Sequence, residues 1–104
     1  CARPSGFVGG VMEPLLSGEV TIEDRKLYVF MRALLESENI FLEPSACASF
    51  QGPVELLKSP EGKAYCEKTG LTAEKLANST QIAWATGGAL VPADIRAAYE
   101  KMYL

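Results

Sequence analysis

Only two stretches of this chain read as strands, NIFL at residues 39–42 and QIAWA at residues 81–85, and helical patterns separate them. Strands joined through helices imply parallel pairing in an α/β layer, because a parallel pair needs a long crossover. Two strands this short cannot finish a sheet by themselves. The expected fold is therefore α/β: short parallel strands with flanking helices, and a sheet that this chain leaves incomplete. On that reading residues 1–104 are a single fragment of a larger domain. Cys1 in the place of an initiator methionine leads to the same expectation.

Helices account for the rest. Phe7, Val11 and Leu15 mark one side of a short helix over residues 7–16, which Gly9, Gly10 and Pro14 weaken. Leu27, Phe30, Met31 and Leu34 make the clearest apolar stripe. It runs to about Glu36, behind a capping-box-like Thr21-Ile22-Glu23-Asp24. Glu23 and Asp24 suit the positive end of that helix. Pro44 is placed to open a helix over residues 45–50, with Gly52-Pro53 as its stop. Ser59 should cap the next helix and Gly70 should close it. Thr72 should cap a shorter helix through Ala77, and Pro92 should start the last, where Ile95, Ala98, Tyr99 and Met102 fall on one face.

The charge balance narrows the partners. A net charge of −3 without any Lys/Arg cluster does not provide the basic footprint that nucleic acid requires. No apolar stretch reaches membrane-spanning length, so a membrane is not an expected partner either. The chain has no histidine, and Cys1, Cys47 and Cys66 form no CxxC pair, so no metal site is expected. Three reduced, mostly buried thiols fit a cytoplasmic protein. Asn78-Ser79-Thr80 matches a glycosylation acceptor, but a turn explains it without a secretory route.

Candidate chemistry gathers in three loops: Arg3-Pro4-Ser5-Gly6, Glu43-Pro44-Ser45-Ala46 and Thr86-Gly87-Gly88. In open α/β sheets ligands bind beyond the carboxyl ends of strands, where Glu43 and Thr86 would both lie. Each residue also has a plain structural explanation. A glycine pair can simply turn the chain, since glycine adopts positive φ freely. Glu43 near a helix N-terminus is favourable through the dipole alone, an exposed Arg3 is ordinary surface, and Trp84 reads as core packing. TGG lacks the spacing of a dinucleotide or phosphate loop, and no nucleophile or acid–base pair stands out.

In order and spacing, RPSGFVG (3–9), MEPLLSG (12–18), FLEPSA (41–46) and WATGG (84–88) resemble the C-terminal part of the D-serine ammonia-lyases, also called D-serine dehydratases. These enzymes belong to the fold-type-II pyridoxal-phosphate family. The resemblance covers essentially the whole chain. EPSA and TGG are shared loosely across that superfamily, and RPSGFVG with WATGG is more specific. The resemblance implies that the Thr86 hydroxyl meets the pyridine nitrogen of pyridoxal 5'-phosphate. Gly87 and Gly88 would pass close to the ring, Glu43 would lie toward its phenolic oxygen, and Ser5 and Gly6 would shape the rim. It implies α,β-elimination of D-serine to pyruvate and ammonia, for which a neutral hydroxyl at the ring nitrogen gives a mild electron sink.

The chain departs from that pattern in two respects. Gly9-Gly10 replaces the family's glycine–basic pair, and the upstream motifs with the Schiff-base lysine and the phosphate loop do not occur in it. None of its six lysines lies in a comparable context. The isolated chain is therefore expected to contain no catalytic residue, to be inactive, and to self-associate through exposed apolar edges. Two other readings stay open at this level. One is a threonine or diaminopropionate lyase of the same superfamily, and the other is a non-catalytic α/β module.

Overall fold

The computed structural model describes residues 3–104, and its elements are helices: α1 (Gly6–Met12), α2 (Asp24–Glu38), a 3-10 helix (Pro44–Phe50), α3 (Gln51–Lys58), α4 (Pro60–Thr69), α5 (Ala73–Ala77) and α6 (Ala93–Lys101). No strand or sheet occurs among the described residues, so the α/β expectation with parallel strands is corrected. Residues 39–43 and 79–86 are irregular. They meet no third segment to pair with, and a strand without a partner leaves its polar backbone to water. The second run also lacks a layer to bury it. Ile82 is 83% exposed and Trp84 78%, so Trp84 is not core packing in this chain.

The core is small. Met31, Leu42, Ala46 and Cys47 are buried together, with Tyr28, Phe30, Leu34, Phe41, Phe50 and Tyr99 packed around them. The α2 stripe supplies Met31 to the centre, and its neighbour Phe30 meets Phe50 edge-on at 5.9 Å. Such aromatic pairs stabilise by about 0.5–1.5 kcal/mol beyond their buried area. The start of α2 differs from the expected box, because Glu23 is its N-cap and makes no side-chain capping bond. Asn39, at φ 55°, ends it with its N–H donating to Leu35.

Gly52-Pro53 does not stop the chain's helical course either. Both fall in the first turn of α3, where a missing N–H costs no intrahelical bond. Ser59 does stop it. Its Oγ donates to the Glu55 carbonyl at 2.8 Å and accepts from Gly62 N at 2.9 Å, so one hydroxyl closes α3 and caps α4. Gly62 lies so close to the Glu55 and Leu56 carbonyls that a side chain there would strike backbone. Gly70, at φ 70°, closes α4, and the Thr72 hydroxyl caps α5 at 3.3 Å. These caps match the sequence reading.

The last helix is bound to α2 by polar and aromatic contacts. Arg32 Nη1 donates to the Met102 carbonyl at 2.7 Å and to the Glu100 carbonyl at 3.5 Å, placing a cation at the negative end of α6. Tyr28 packs on Tyr99 at 5.9 Å and on Tyr103 at 5.1 Å. Burial first, then Tyr99, Tyr103 and Asp24, push the Tyr28 phenol above its ordinary range.

A large surface remains open. The chain exposes 8189 Å², against about 5,700 Å² for a folded monomer of its mass. Its radius of gyration is 16.0 Å, where about 13 Å is usual at this length. Phe7, Leu15, Ile82, Trp84 and Leu90 are among the residues left uncovered. No helix among the described residues is long and apolar enough to cross a membrane.

Candidate functional site

Glu43 is held by its neighbours in sequence. It follows Phe41 and Leu42 of the core and precedes Pro44, which is buried. Its backbone is extended (φ −62°, ψ 150°), and it is the N-cap of the 3-10 helix. The dipole explanation expects its carboxylate to bond the free N–H groups there, yet no such bond forms. Instead Glu43 Oε1 accepts from the Ser45 hydroxyl at 3.2 Å.

The glycine loop closes onto that carboxylate. Gly87 and Gly88 have φ of 65° and 134°, both in the region that side chains disfavour. A Cβ on Gly87 would lie 2.5 Å from Glu43 Oε1 and 2.8 Å from its Cδ. A Cβ on Gly88 would lie 2.9 Å from the Phe41 carbonyl oxygen and 3.0 Å from Leu42 Cα. Backbone conformation favours glycine at both positions, and at Gly88 fixed backbone leaves no space for a side chain, whereas at Gly87 the Glu43 carboxylate would have to move. Two loops separated by more than 40 residues meet here.

Where they meet, a groove of about 430 Å³ opens, lined by Glu43, the two glycines, Leu90, Val91, Ile95 and Tyr99. This lies within the roughly 300–1,000 Å³ of small-molecule sites. Glu43 is the only carboxylate in its lining. The α6 wall is fixed through Tyr99 on Tyr28 and through Arg32 at the helix end. The opposite wall is stiffened by Arg96, whose guanidinium lies 4.1 Å over the Phe41 ring. Bare backbone, one carboxylate and apolar walls can seat a flat ring while binding one polar group at its edge.

The other expected site residues lie elsewhere. Thr86 is exposed and adjoins Gly87, outside the groove lining. Ser5 caps α1, accepting from Val8 N at 3.3 Å, and Gly6 opens that helix. Neither lines the groove, and α1 buries none of its residues. Ser45 and Tyr99 were not singled out by the sequence reading. The Glu-x-Ser spacing could have flagged Ser45, whereas Tyr99 appeared only as part of a packing stripe. Cys47 and Cys66 are buried and line no part of the groove, and burial pushes the Cys47 thiol up. Cys1 lies outside the described residues.

No family model matches the chain. Relatives do. It is 47% identical over 97 residues to a probable D-serine dehydratase of Geobacillus stearothermophilus, covering 93% of this chain and 21% of the relative. It is 50% identical over 97 residues to a probable D-serine dehydratase of Bacillus cereus strain B4264, with the same coverage. A third, from Bacillus subtilis strain 168, is 46% identical over 100 residues, or 96% of this chain and 21% of the relative. The chain thus spans about a fifth of the length of these relatives, and the resemblance read from its loops is borne out along nearly all of its own length.

Proposed function

We propose that this chain is the C-terminal part of a D-serine dehydratase and forms the pyridine-ring side of its pyridoxal-phosphate pocket. The observation that carries this reading is the meeting of Glu43 with Gly87-Gly88, in a chain 46–50% identical to proteins so named. The reaction is the elimination of water from D-serine, ending in pyruvate and ammonia. Threonine and diaminopropionate lyases are not favoured, because the relatives described above carry the D-serine name.

The residues present fit the cofactor. Gly87 and Gly88 line the groove without side chains, beside Glu43 and the apolar residues Leu90, Val91 and Ile95. When bound, pyridoxal phosphate supplies a sink for the electrons released as the α-proton leaves. By resemblance, the Thr86 hydroxyl, beside Gly87, would meet the ring nitrogen without protonating it, and that would keep the sink mild. Glu43 would lie toward the phenolic oxygen, Gly87 and Gly88 would pass close to the ring, and Val91 and Ile95 would add apolar wall. Ser5 and Gly6 belong to the rim. The reacting lysine and the phosphate loop are assigned to sequence outside these 104 residues. The total surface, about 2,500 Å² beyond that of a typical monomer of this mass and including the exposed Phe7, Ile82, Trp84 and Leu90, supports a larger domain that covers part of it. D-serine is the substrate and the compartment is the cytoplasm.

The test uses the intact polypeptide with pyridoxal phosphate and, side by side, D-serine, L-serine, L-threonine and diaminopropionate. The expected result is ammonia release fastest from D-serine, with pyruvate as the 2-oxo acid, whereas L-threonine would give 2-oxobutyrate. Failure to form pyruvate from D-serine contradicts the proposal, and preference for another substrate restores the alternative. Thr86→Ala should weaken cofactor binding or turnover, and wild-type behaviour would remove Thr86 from the site.

A further inference from the structure

We infer that Ser45 is a positioning residue that sets the direction of the Glu43 carboxylate at the groove, an assignment that rests on the functional reading above. Three observations converge. First, Glu43 occupies an N-cap position but its side chain bonds none of the helix's free N–H groups, so the usual anchor of such a carboxylate is not used. Second, the Ser45 hydroxyl donates to Oε1 at 3.2 Å. Third, the same Oε1 faces the Gly87 Cα so closely that a Cβ would stand 2.5 Å from it. The carboxylate is thus confined on one side by a glycine that admits it and oriented on the other by a hydroxyl two residues along its own chain.

This arrangement has a physical logic. A glutamate has three rotatable side-chain bonds, and a groove wall needs one of its arrangements. Pro44 fixes the backbone between Glu43 and Ser45, because its ring locks φ near −65°. The hydroxyl is therefore presented at a set distance from the carboxylate. Ser45 itself is exposed, so its replacement leaves the buried core of Met31, Leu42, Ala46 and Cys47 intact. Its effect should appear at the cofactor and leave the fold unchanged.

The experiment compares Ser45→Ala, Ser45→Thr and Glu43→Gln in the intact enzyme, reading the visible absorption of bound pyridoxal phosphate across pH. Glu43→Gln should move the midpoint at which that band changes. Ser45→Ala should move it in the same direction by a smaller amount and weaken cofactor binding about threefold to tenfold, the size of one net hydrogen bond. Ser45→Thr, which keeps the hydroxyl, should restore the wild-type midpoint. A wild-type band that Glu43→Gln moves and Ser45→Ala leaves in place overturns the positioning role alone. A wild-type protein that shows no such band with added cofactor overturns the functional reading and this inference together.

Discussion

The region around α2 and the 3-10 helix and the region from residue 79 to residue 92 have similar apolar content and opposite fates. In the first, Met31 and Cys47 are fully buried, and the apolar stripe of α2 agrees with the packing. In the second, Ile82, Trp84 and Leu90 stand 78–96% exposed and no helix or strand forms. Both contribute to the groove. The first contributes Glu43 on a rigid support, and the second contributes Gly87 and Gly88 from a segment whose apolar face awaits cover. A helix stripe can be buried by a neighbouring helix, but a strand needs a partner strand as well as a layer.

The largest test of that contrast is core truncation. Met31→Ala should destabilise this chain by about 2–5 kcal/mol in urea unfolding, whereas Trp84→Ala should change it by less than about 0.5 kcal/mol. Equal effects would erase the distinction between the regions. Arg32→Ala should cost about 1 kcal/mol and loosen α6, seen as faster amide exchange over residues 93–101. Ser59→Ala should cost a similar amount, with the loss confined to the junction of α3 and α4. The smallest effects concern titration. Tyr28 has a raised phenol pKa when folded, so its contribution is complete below the ordinary tyrosine pKa, about 10, and is lost as pH rises through the folded value. A pH-stability profile of Tyr28→Phe should therefore lack part of the wild-type decline at high pH. Cys47 should resist alkylation near neutral pH until the chain unfolds, as followed by mass spectrometry of labelled peptides.

What the sequence disclosed divides along the same line. Ser59, Gly70 and Thr72 were legible because a cap is a local event, decided within four residues. The α2 stripe was legible because its period is local too. The parallel strands were not, since 39–42 and 81–85 carry the right residues while pairing depends on segments outside both. Gly52-Pro53 misled because proline breaks a helix interior and is tolerated in a first turn. At the site, Glu43 and the glycine loop could be matched by resemblance, and the structure brings them together. Thr86, Ser5 and Gly6 are carried by resemblance alone, since none of them lines the groove. Ser45 lay within the candidate loop 43–46, and its Glu-x-Ser spacing was a usable signal, but its role depends on the direction of the Glu43 carboxylate, which the spacing does not give.

The central claim is that the contact between Glu43 and the glycine loop is where the cofactor ring rests. Gly87→Ala in the intact enzyme tests it most directly, because the added methyl meets Glu43 Oε1 at 2.5 Å and φ is 65°. Titration with pyridoxal phosphate, followed by visible absorption, should show at least about tenfold weaker binding, equivalent to 1.4 kcal/mol or more. Wild-type affinity in a folded Gly87→Ala enzyme would place the ring elsewhere and contradict the account.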